Sequence, residues 1–266
     1  MAVTETENGF IVGMEVLIGN VEHTEAVSMI DSLEADYGEK PDAVLGDSAY
    51  STGPNIADFE ERSIEFLSPL ASGDVVNNPA IRDDPTKPVP EDQIDELPVN
   101  KQTKRFDKQA FVYDEEKDVY YCPAGQELSY SYSYKAKLQG QIVRRRTYQC
   151  KVCRDCPIAS LCRPNPKAKN GRRVNHDEFR AHRQRHREKM RASEVKERYK
   201  ARLHYGETHF GFIKQWMHLR QFLLRGIEGV RQEWLWSCTA YNLKKLMGFW
   251  GEACACSDKN APQAIG

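Results

Sequence analysis

From Phe10 to Gly19 the chain runs Phe-Ile-Val-Gly-Met-Glu-Val-Leu-Ile-Gly, a short apolar stretch with β-branched residues that predicts a strand. Between Thr24 and Tyr37, Ala26, Val27, Ile30, Leu33 and Ala35 recur at helical intervals, and Gly38 is placed to close that helix. Ala43-Val44-Leu45 predicts a second strand, which runs into Gly46-Asp47-Ser48. A further helix is expected from Asn55 to Arg62 and a third strand over Ile64-Glu65-Phe66-Leu67. Strand–helix–strand–helix–strand implies an α/β layer with neighbouring parallel strands. Strands 10–19, 43–46 and 64–68 are therefore expected to share one sheet.

The pattern then changes. Pro79, Pro85, Pro88, Pro90 and Pro98 are scattered among acids over residues 72–100, which predicts a linker or insertion loop. Residues 101–162 hold most of the tyrosines and five of the eight cysteines, and suggest short strands and turns around a cysteine knuckle. From His176 to Trp250 the pattern is helical. The last fifteen residues, with Cys254 and Cys256, have the character of a frayed tail.

Composition narrows the class. The 266 residues are 40% hydrophobic, 10% aromatic and 29% charged, and no apolar run approaches the roughly 18 residues of a membrane span. Met1 to Gly9 has no basic and apolar leader, so a cytoplasmic compartment is expected, with thiols or metal ligands in place of disulfides. The net charge of -1 conceals a polarity along the chain. Residues 1–100 carry 22 acids against 4 bases, whereas 163–202 carry 15 Lys or Arg against 5 acids, together with His176, His182 and His186. A polyanionic partner would suit the basic stretch; so would a solvated helix face or an internal match to the acidic half.

Two further patterns carry chemistry. Cys150-x2-Cys153-x2-Cys156-x5-Cys162, with Cys122 in a Cys-Pro-x-Gly turn, has the spacing of thiolates that grip one tetrahedral metal. Zinc on Cys122, Cys153, Cys156 and Cys162 is the expectation, with Cys150 a spare; reduced thiols without metal are the alternative. Cys238, on an apolar helix face, is expected in the core. Asp47 follows a buried strand, a position where carboxylates can converge on a divalent cation, although Asp is also a common helix cap there. Glu207, Gly211 and Lys214 fall at i, i+4 and i+7 of a helix whose Leu203, Phe210, Ile213 and Met217 mark the buried side. That line could hold a metal and meet a phosphate, or be a charged surface edge.

Together these residues resemble the DDE-type insertion-sequence transposases. Tyr199-x2-Arg202-x4-Glu207-x2-Phe210-Gly211-x2-Lys214, then Arg220-x4-Arg225-Gly226, Val230-x2-Glu233 and Tyr241-Asn242-Leu243-x2-Leu246, is similar to the family's C-terminal signature. Gly46-Asp47-Ser48-Ala49-Tyr50-Ser51 is similar to its second-aspartate motif. Cys122-Pro-x-Gly and Cys153-x2-Cys156-Pro-x4-Cys162 match the cysteine insertion of one branch. The resemblance implies an α/β, ribonuclease-H-like core in which three carboxylates bind two Mg²⁺ ions (Mn²⁺ as a substitute) to cleave and transfer DNA strands.

Carried over, Asp47 is the second carboxylate and Glu207 the third, while Tyr199, Arg202 and Lys214 touch DNA near the cleaved phosphate. Arg220 and Arg225 of the signature join Arg172 and Arg173 as candidate DNA contacts, and Arg183, Arg187 and Arg191 extend that positive surface. The implied division is a partial core at 1–72, a cysteine-bearing insertion at 73–162, a basic helical segment at 163–196, C-terminal helices at 197–251 and a tail at 252–266. The pattern departs at the start. Glu5 and Glu7 stand in a polar lead with no strand, and Glu15 lacks the context of a first catalytic aspartate. The chain thus reads as a truncated transposase, weak or inactive alone, with double-stranded DNA and a second copy or a complementing N-terminal fragment as partners. The alternatives are a zinc-stapled DNA-binding remnant without catalysis and a metal-free structural remnant.

Overall fold

The computed structural model describes residues 2–17, 22–70, 77–138, 141–165, 168–200, 202 and 208–259, with the side chains of 22 and 251–259 left aside. In chain order the elements are β1 (Ala2–Glu5), β2 (Ile11–Glu15), α1 (Glu25–Tyr37), β3 (Ala43–Leu45), α2 (Gly53–Glu61) and β4 (Glu65–Leu67). There follow β5 (Val112–Asp114), β6 (Val119–Tyr121), β7 (Glu127–Leu138), β8 (Gln141–Cys150), α3 (Ala159–Cys162) and β9 (Arg173–Asp177). The rest is helical: α4 (Arg180–Arg191), α5 (Ser193–Lys200), α6 (Thr208–Gln215) and α7 (Gly226–Lys259). The chain divides into two units, Met1–Pro69 with His186–Gly266, and Leu70–Arg185. Both mix helix and strand.

In the first unit, α1 forms where the apolar spacing places it. Ala26, Ile30 and Leu33 are buried, and Gly38 ends the helix at φ 75° with its N–H on Glu34 O at 2.9 Å. Thr52 caps α2 by accepting the Asn55 N–H at 3.3 Å, and Pro54 occupies the first turn. β3 and β4 pair in parallel, Ala43 with Glu65 through Leu45 with Leu67, over the fully buried Phe59 of α2. The single sheet expected for strands 10–19, 43–46 and 64–68 does not form. β2 pairs antiparallel with β1, and β3–β4 is a separate two-stranded sheet. β1 takes one edge of β2, and Asn242 of α7 meets the backbone of Ile11 on the other. Residues 2–5, expected to be a structureless lead, turn back through Thr6 and Gly9 onto β2, with Ala2 only 5% exposed.

α7 covers β2. Ile11, Val16, Ile213, Trp234, Cys238 and Tyr241 form one buried cluster, in which Cys238 takes its expected core place. The side-chain amide of Asn242 then completes the contact, accepting the Ile11 N–H at 2.9 Å and donating to the Ile11 carbonyl at 2.7 Å. The backbone of α7 continues to Lys259, beyond the point where fraying was expected.

The second unit is a five-stranded antiparallel sheet in the order β5-β6-β7-β8-β9. Its core joins Leu128, Tyr148 and Val174 to Ala80, Val89 and Leu97, so the proline-rich stretch is packed structure and not a free linker. The Val89 N–H meets the Pro123 carbonyl at 2.7 Å, and Arg82 donates to the carbonyls of Ala80, Pro85, Lys87 and Cys122. Residues 173–177, partly assigned to the helical run, form β9 instead. Beside it, Tyr113 and Tyr148 donate to Asp118 Oδ1 at 2.6 and 2.5 Å, and Arg146 pairs with the same carboxylate. Burial, then the nearby Lys108 and Arg180 charges, push His176 down to about 4. In β7 a bulge between Tyr130 and Tyr132 shifts the register, so Tyr130 faces Tyr148 while Tyr132 faces Thr147.

The Cys-Pro-x-Gly turn joins β6 to β7, with the Gly125 N–H on Cys122 O at 2.8 Å and φ at +73°. A Cβ there would lie 2.2 Å from the Thr86 carbonyl oxygen, whereas one at Gly38 would meet nothing within 4 Å. Gly38→Ala should therefore cost about 1–2 kcal/mol, for the left-handed backbone alone. Gly125→Ala should cost about 2–5 kcal/mol, because backbone must also move. Urea unfolding of the two variants checks this; equal losses would refute it.

Candidate functional site

Asp47 is placed by backbone pairing. The Gly46 N–H continues the β3–β4 ladder by donating to Leu67 O at 3.0 Å, so Asp47 stands just past the carboxyl end of a parallel pair. That is where open α/β sheets leave room for ligands. Its Oδ1 accepts the Ala49 N–H at 2.8 Å, and its carbonyl accepts the Ser68 hydroxyl at 2.6 Å. The Ser51 hydroxyl donates to Ser68 Oγ at 2.6 Å, while the Ser68 carbonyl takes a hydrogen bond of 2.7 Å from His186 Nε2. Ser68, Ser51 and His186 are all buried. Burial lowers the His186 pKa against the opposing effect of this hydrogen bond, which favours a neutral ring with its proton on Nε2.

The Asp47 carboxylate itself stays 44% exposed, open to a ligand. Arg202 Nη2 lies 4.0 Å from its Oδ2, and the Tyr199 hydroxyl donates to the Gly46 carbonyl at 3.1 Å. Arg198 pairs with Glu65 at 2.7 Å and ties α5 to β4. Of the three residues expected around the reacting phosphate, Arg202 thus reaches the expected aspartate and Tyr199 the backbone of the residue before it. Glu207 lies outside the described residues, as does Leu203. Lys214 is exposed on α6 with Nζ 5.7 Å from the Phe210 ring, and the space beside Gly211 is open.

Other members of the C-terminal signature are engaged in the fold. The buried Glu233 carboxylate accepts the N–H groups of Leu223 at 2.9 Å and Leu224 at 3.0 Å, and Tyr241 and Asn242 belong to the β2 contact. Arg220 and Arg225 are exposed before α7. Glu15 pairs with Arg231 at 2.7 Å. Glu5 lies in β1, 3.1 Å from Nδ1 of the fully buried His209, whose Nε2 has no partner among the described residues.

The basic stretch is not uniformly free. Arg172 donates to the carbonyls of Cys162 and Phe106, each at 2.9 Å, and packs over the Phe111 ring, so it serves the second unit's interior instead of an exposed surface. Arg183 pairs with Asp177. Arg173 and Arg191 are exposed.

The cysteines converge. Cys122, Cys150, Cys153, Cys156 and Cys162 line one cavity of about 20 Å³, room for a single water-sized body, with Arg163 and Arg172 at its wall. Cys150, expected as a spare, is among them and is 1% exposed. The Gln126 and Arg172 N–H groups face Cys122 Sγ at 3.4 Å and Cys153 Sγ at 3.3 Å. A shared hydrogen bond raises Cys150 and lowers Cys153, while burial pushes Cys162 up to about 12. Among the described residues no three His, Cys, Asp or Glu side chains form a metal-holding group.

Residues 121–247 match the family described as the transposase DDE domain. The match opens at the end of β6, spans the cysteine cavity, Tyr199, Arg202, Glu207 and Lys214, and closes in α7; Asp47 lies before it. It supports a DDE-type transposase. No curated protein and no solved structure matches the chain. Among the described residues no helix is long and apolar enough to cross a membrane.

Periodicity carries no signal for Ser51, Ser68 or His186, yet they hold the Asp47 turn. Ser68→Ala would leave the buried Ser51 hydroxyl without its acceptor and the Asp47 carbonyl with the Tyr50 N–H at 3.2 Å alone. We expect a loss of about 1–3 kcal/mol in thermal or urea unfolding. Unchanged stability would show that the hydroxyl network does not hold the turn.

Proposed function

We propose that this chain is an insertion-sequence transposase that binds double-stranded DNA and acts in metal-dependent strand cleavage and transfer. The observation that carries this is the half-exposed Asp47 at the end of a parallel strand pair, met by Arg202 and Tyr199 from the segment leading to Glu207. The order of those residues and the DDE-domain match support a ribonuclease-H-like core in the first unit.

In this reading Asp47 and Glu207 are two of the carboxylates that hold Mg²⁺ or Mn²⁺. Bound there, the ions would stabilise charge on the phosphoryl oxygens and lower the pKa of an attacking water. Arg202, beside Asp47, and Lys214 orient the phosphate and balance its charge. The hydroxyl network beneath Asp47 keeps the carboxylate in place, so little reorganisation accompanies the reaction. Arg173, Arg191, Arg220 and Arg225, all exposed, supply phosphate contacts, whereas Arg172 acts within the fold.

The test is metal binding. Mn²⁺ titration followed by electron paramagnetic resonance should show a site weakened at least about tenfold by Asp47→Asn or Glu207→Gln, with duplex-DNA affinity kept. Both variants should also abolish any Mg²⁺-dependent cleavage of element ends. Mn²⁺ affinity indifferent to both changes would end this assignment.

A second reading, a non-catalytic zinc-stapled DNA-binding module, is favoured by the five cysteines on one cavity. Their sulfur chemistry and the two N–H groups aimed at sulfur suit zinc, with Cys122, Cys153, Cys156 and Cys162 as ligands or Cys150 in the place of one. Zinc binding would require thiolates, and the hydrogen bond from Cys150 already favours that form at Cys153. Protein purified without chelator should carry about one zinc per chain, and Cys153→Ser with Cys156→Ser should lose it and melt at lower temperature. A metal-free chain with every thiol titratable would leave the reduced-thiol alternative.

A further inference from the structure

The β7–β8 hairpin runs out beyond its sheet. β6 pairs with β7 only at Glu127 and Leu128, and β9 pairs with β8 only from Arg145 to Gln149. Residues 135–138 and 141–143 therefore pair only with each other, as a two-stranded arm, while Arg144 at its base also accepts the Glu178 N–H at 3.2 Å; Val143 is buried on one face of the arm and the other face is open. Directly opposed residues share a face, so Lys135 with Arg144, and Lys137 with Ile142, stand on one side. All four are exposed, Ile142 by 72%. Residues 128–150 hold five Lys or Arg and no Asp or Glu. Among the described residues Lys135, Lys137 and Arg144 form no ion pair; the Glu178 carboxylate takes the Arg144 backbone N–H at 3.1 Å.

We infer that this arm is a DNA contact separate from the Asp47 site. It lies along duplex DNA with Lys135, Lys137 and Arg144 on phosphates and Ile142 against the groove. The inference rests on the DNA-acting function proposed above. A two-stranded ribbon, its strands about 4.8 Å apart, fits a major groove about 12 Å wide. Duplex is favoured over single strand because the arm's own residues put no ring on the cationic face for a base to stack on; the nearest ring on that face, Tyr130, is covered by the Arg146 guanidinium at 4.9 Å. Tyr132 and Tyr134 stand on the opposite face, against each other at 5.9 Å. Cations on an exposed ribbon also discourage strand-to-strand association, but an exposed isoleucine between them works against that purpose.

The experiment is fluorescence anisotropy of the full chain with a duplex of about 30 base pairs, titrated between about 50 and 200 mM salt. The variant Lys135→Ala, Lys137→Ala, Arg144→Ala should lower the slope of log affinity against log salt by about 2–3, close to one unit per lost phosphate contact. The charge-conserving variant Lys135→Arg, Lys137→Arg, Arg144→Lys should keep the wild-type slope. Mn²⁺ binding at Asp47 should not change in either. An unchanged slope in the alanine variant, an equal loss in the charge-conserving one, or tighter binding of single strand than duplex would overturn the arm. Asp47→Asn without effect on Mn²⁺ would instead count against the catalytic site, so the two failures are separable.

Discussion

A two-stranded sheet leaves the outer backbone groups of each strand without partners, and the first unit depends on how β2 meets that constraint. Asn242 presents one donor and one acceptor to Ile11, the same pair that a third strand would offer. The contact seats α7 over Ile11 and Val16 and buries Trp234 and Tyr241 beside them. Glu233, on the same helix, then fixes the chain at Leu223 and Leu224 through two N–H groups. Glu233, Tyr241 and Asn242 of the C-terminal signature thus serve the architecture of this unit.

The Asp47 turn obeys a different economy. Its backbone is held from β4 through Ser68 and from its own loop through Ser51, while the carboxylate remains half exposed. Rigid support under a free functional group is what a ligand site requires. His186 extends that support, since a neutral ring can donate to the Ser68 carbonyl without bringing a charge indoors. Tyr199 arrives on α5 and Arg202 lies past the end of that helix, so the site is assembled from two stretches far apart in sequence.

Much of this was legible in the residues. The α1 boundaries followed from apolar spacing and Gly38, and the cysteines were expected together. Asp47 was expected at the end of a strand, which is where it stands. All five thiols line the cavity, and spacing alone does not tell four ligands from a spare. The pairing of β2 with β1 was hidden, since Ala2–Glu5 is short and carries only two apolar side chains. Residues 77–98 read as linker because proline and acid dominate them, yet Ala80, Val89 and Leu97 suffice to anchor the stretch in the core. Arg172 looked like one more surface base; only the three-dimensional arrangement brings two carbonyls to its guanidinium.

The repeat Ser-Tyr-Ser-Tyr-Ser-Tyr of β7 has almost no information in its composition. One unpaired residue at Ser131 divides it. Tyr130 is turned toward Arg146 and Tyr148, and Tyr132 and Tyr134 toward the other side, where Asn175 reaches the Tyr134 hydroxyl at 3.4 Å. Three identical dipeptides thereby acquire different neighbours without any change of letter. Deletion of Ser131 alone would close the bulge into regular pairing, with Tyr130 and every later residue on their present faces; the one unpaired serine is what reverses the phase of an otherwise uniform repeat.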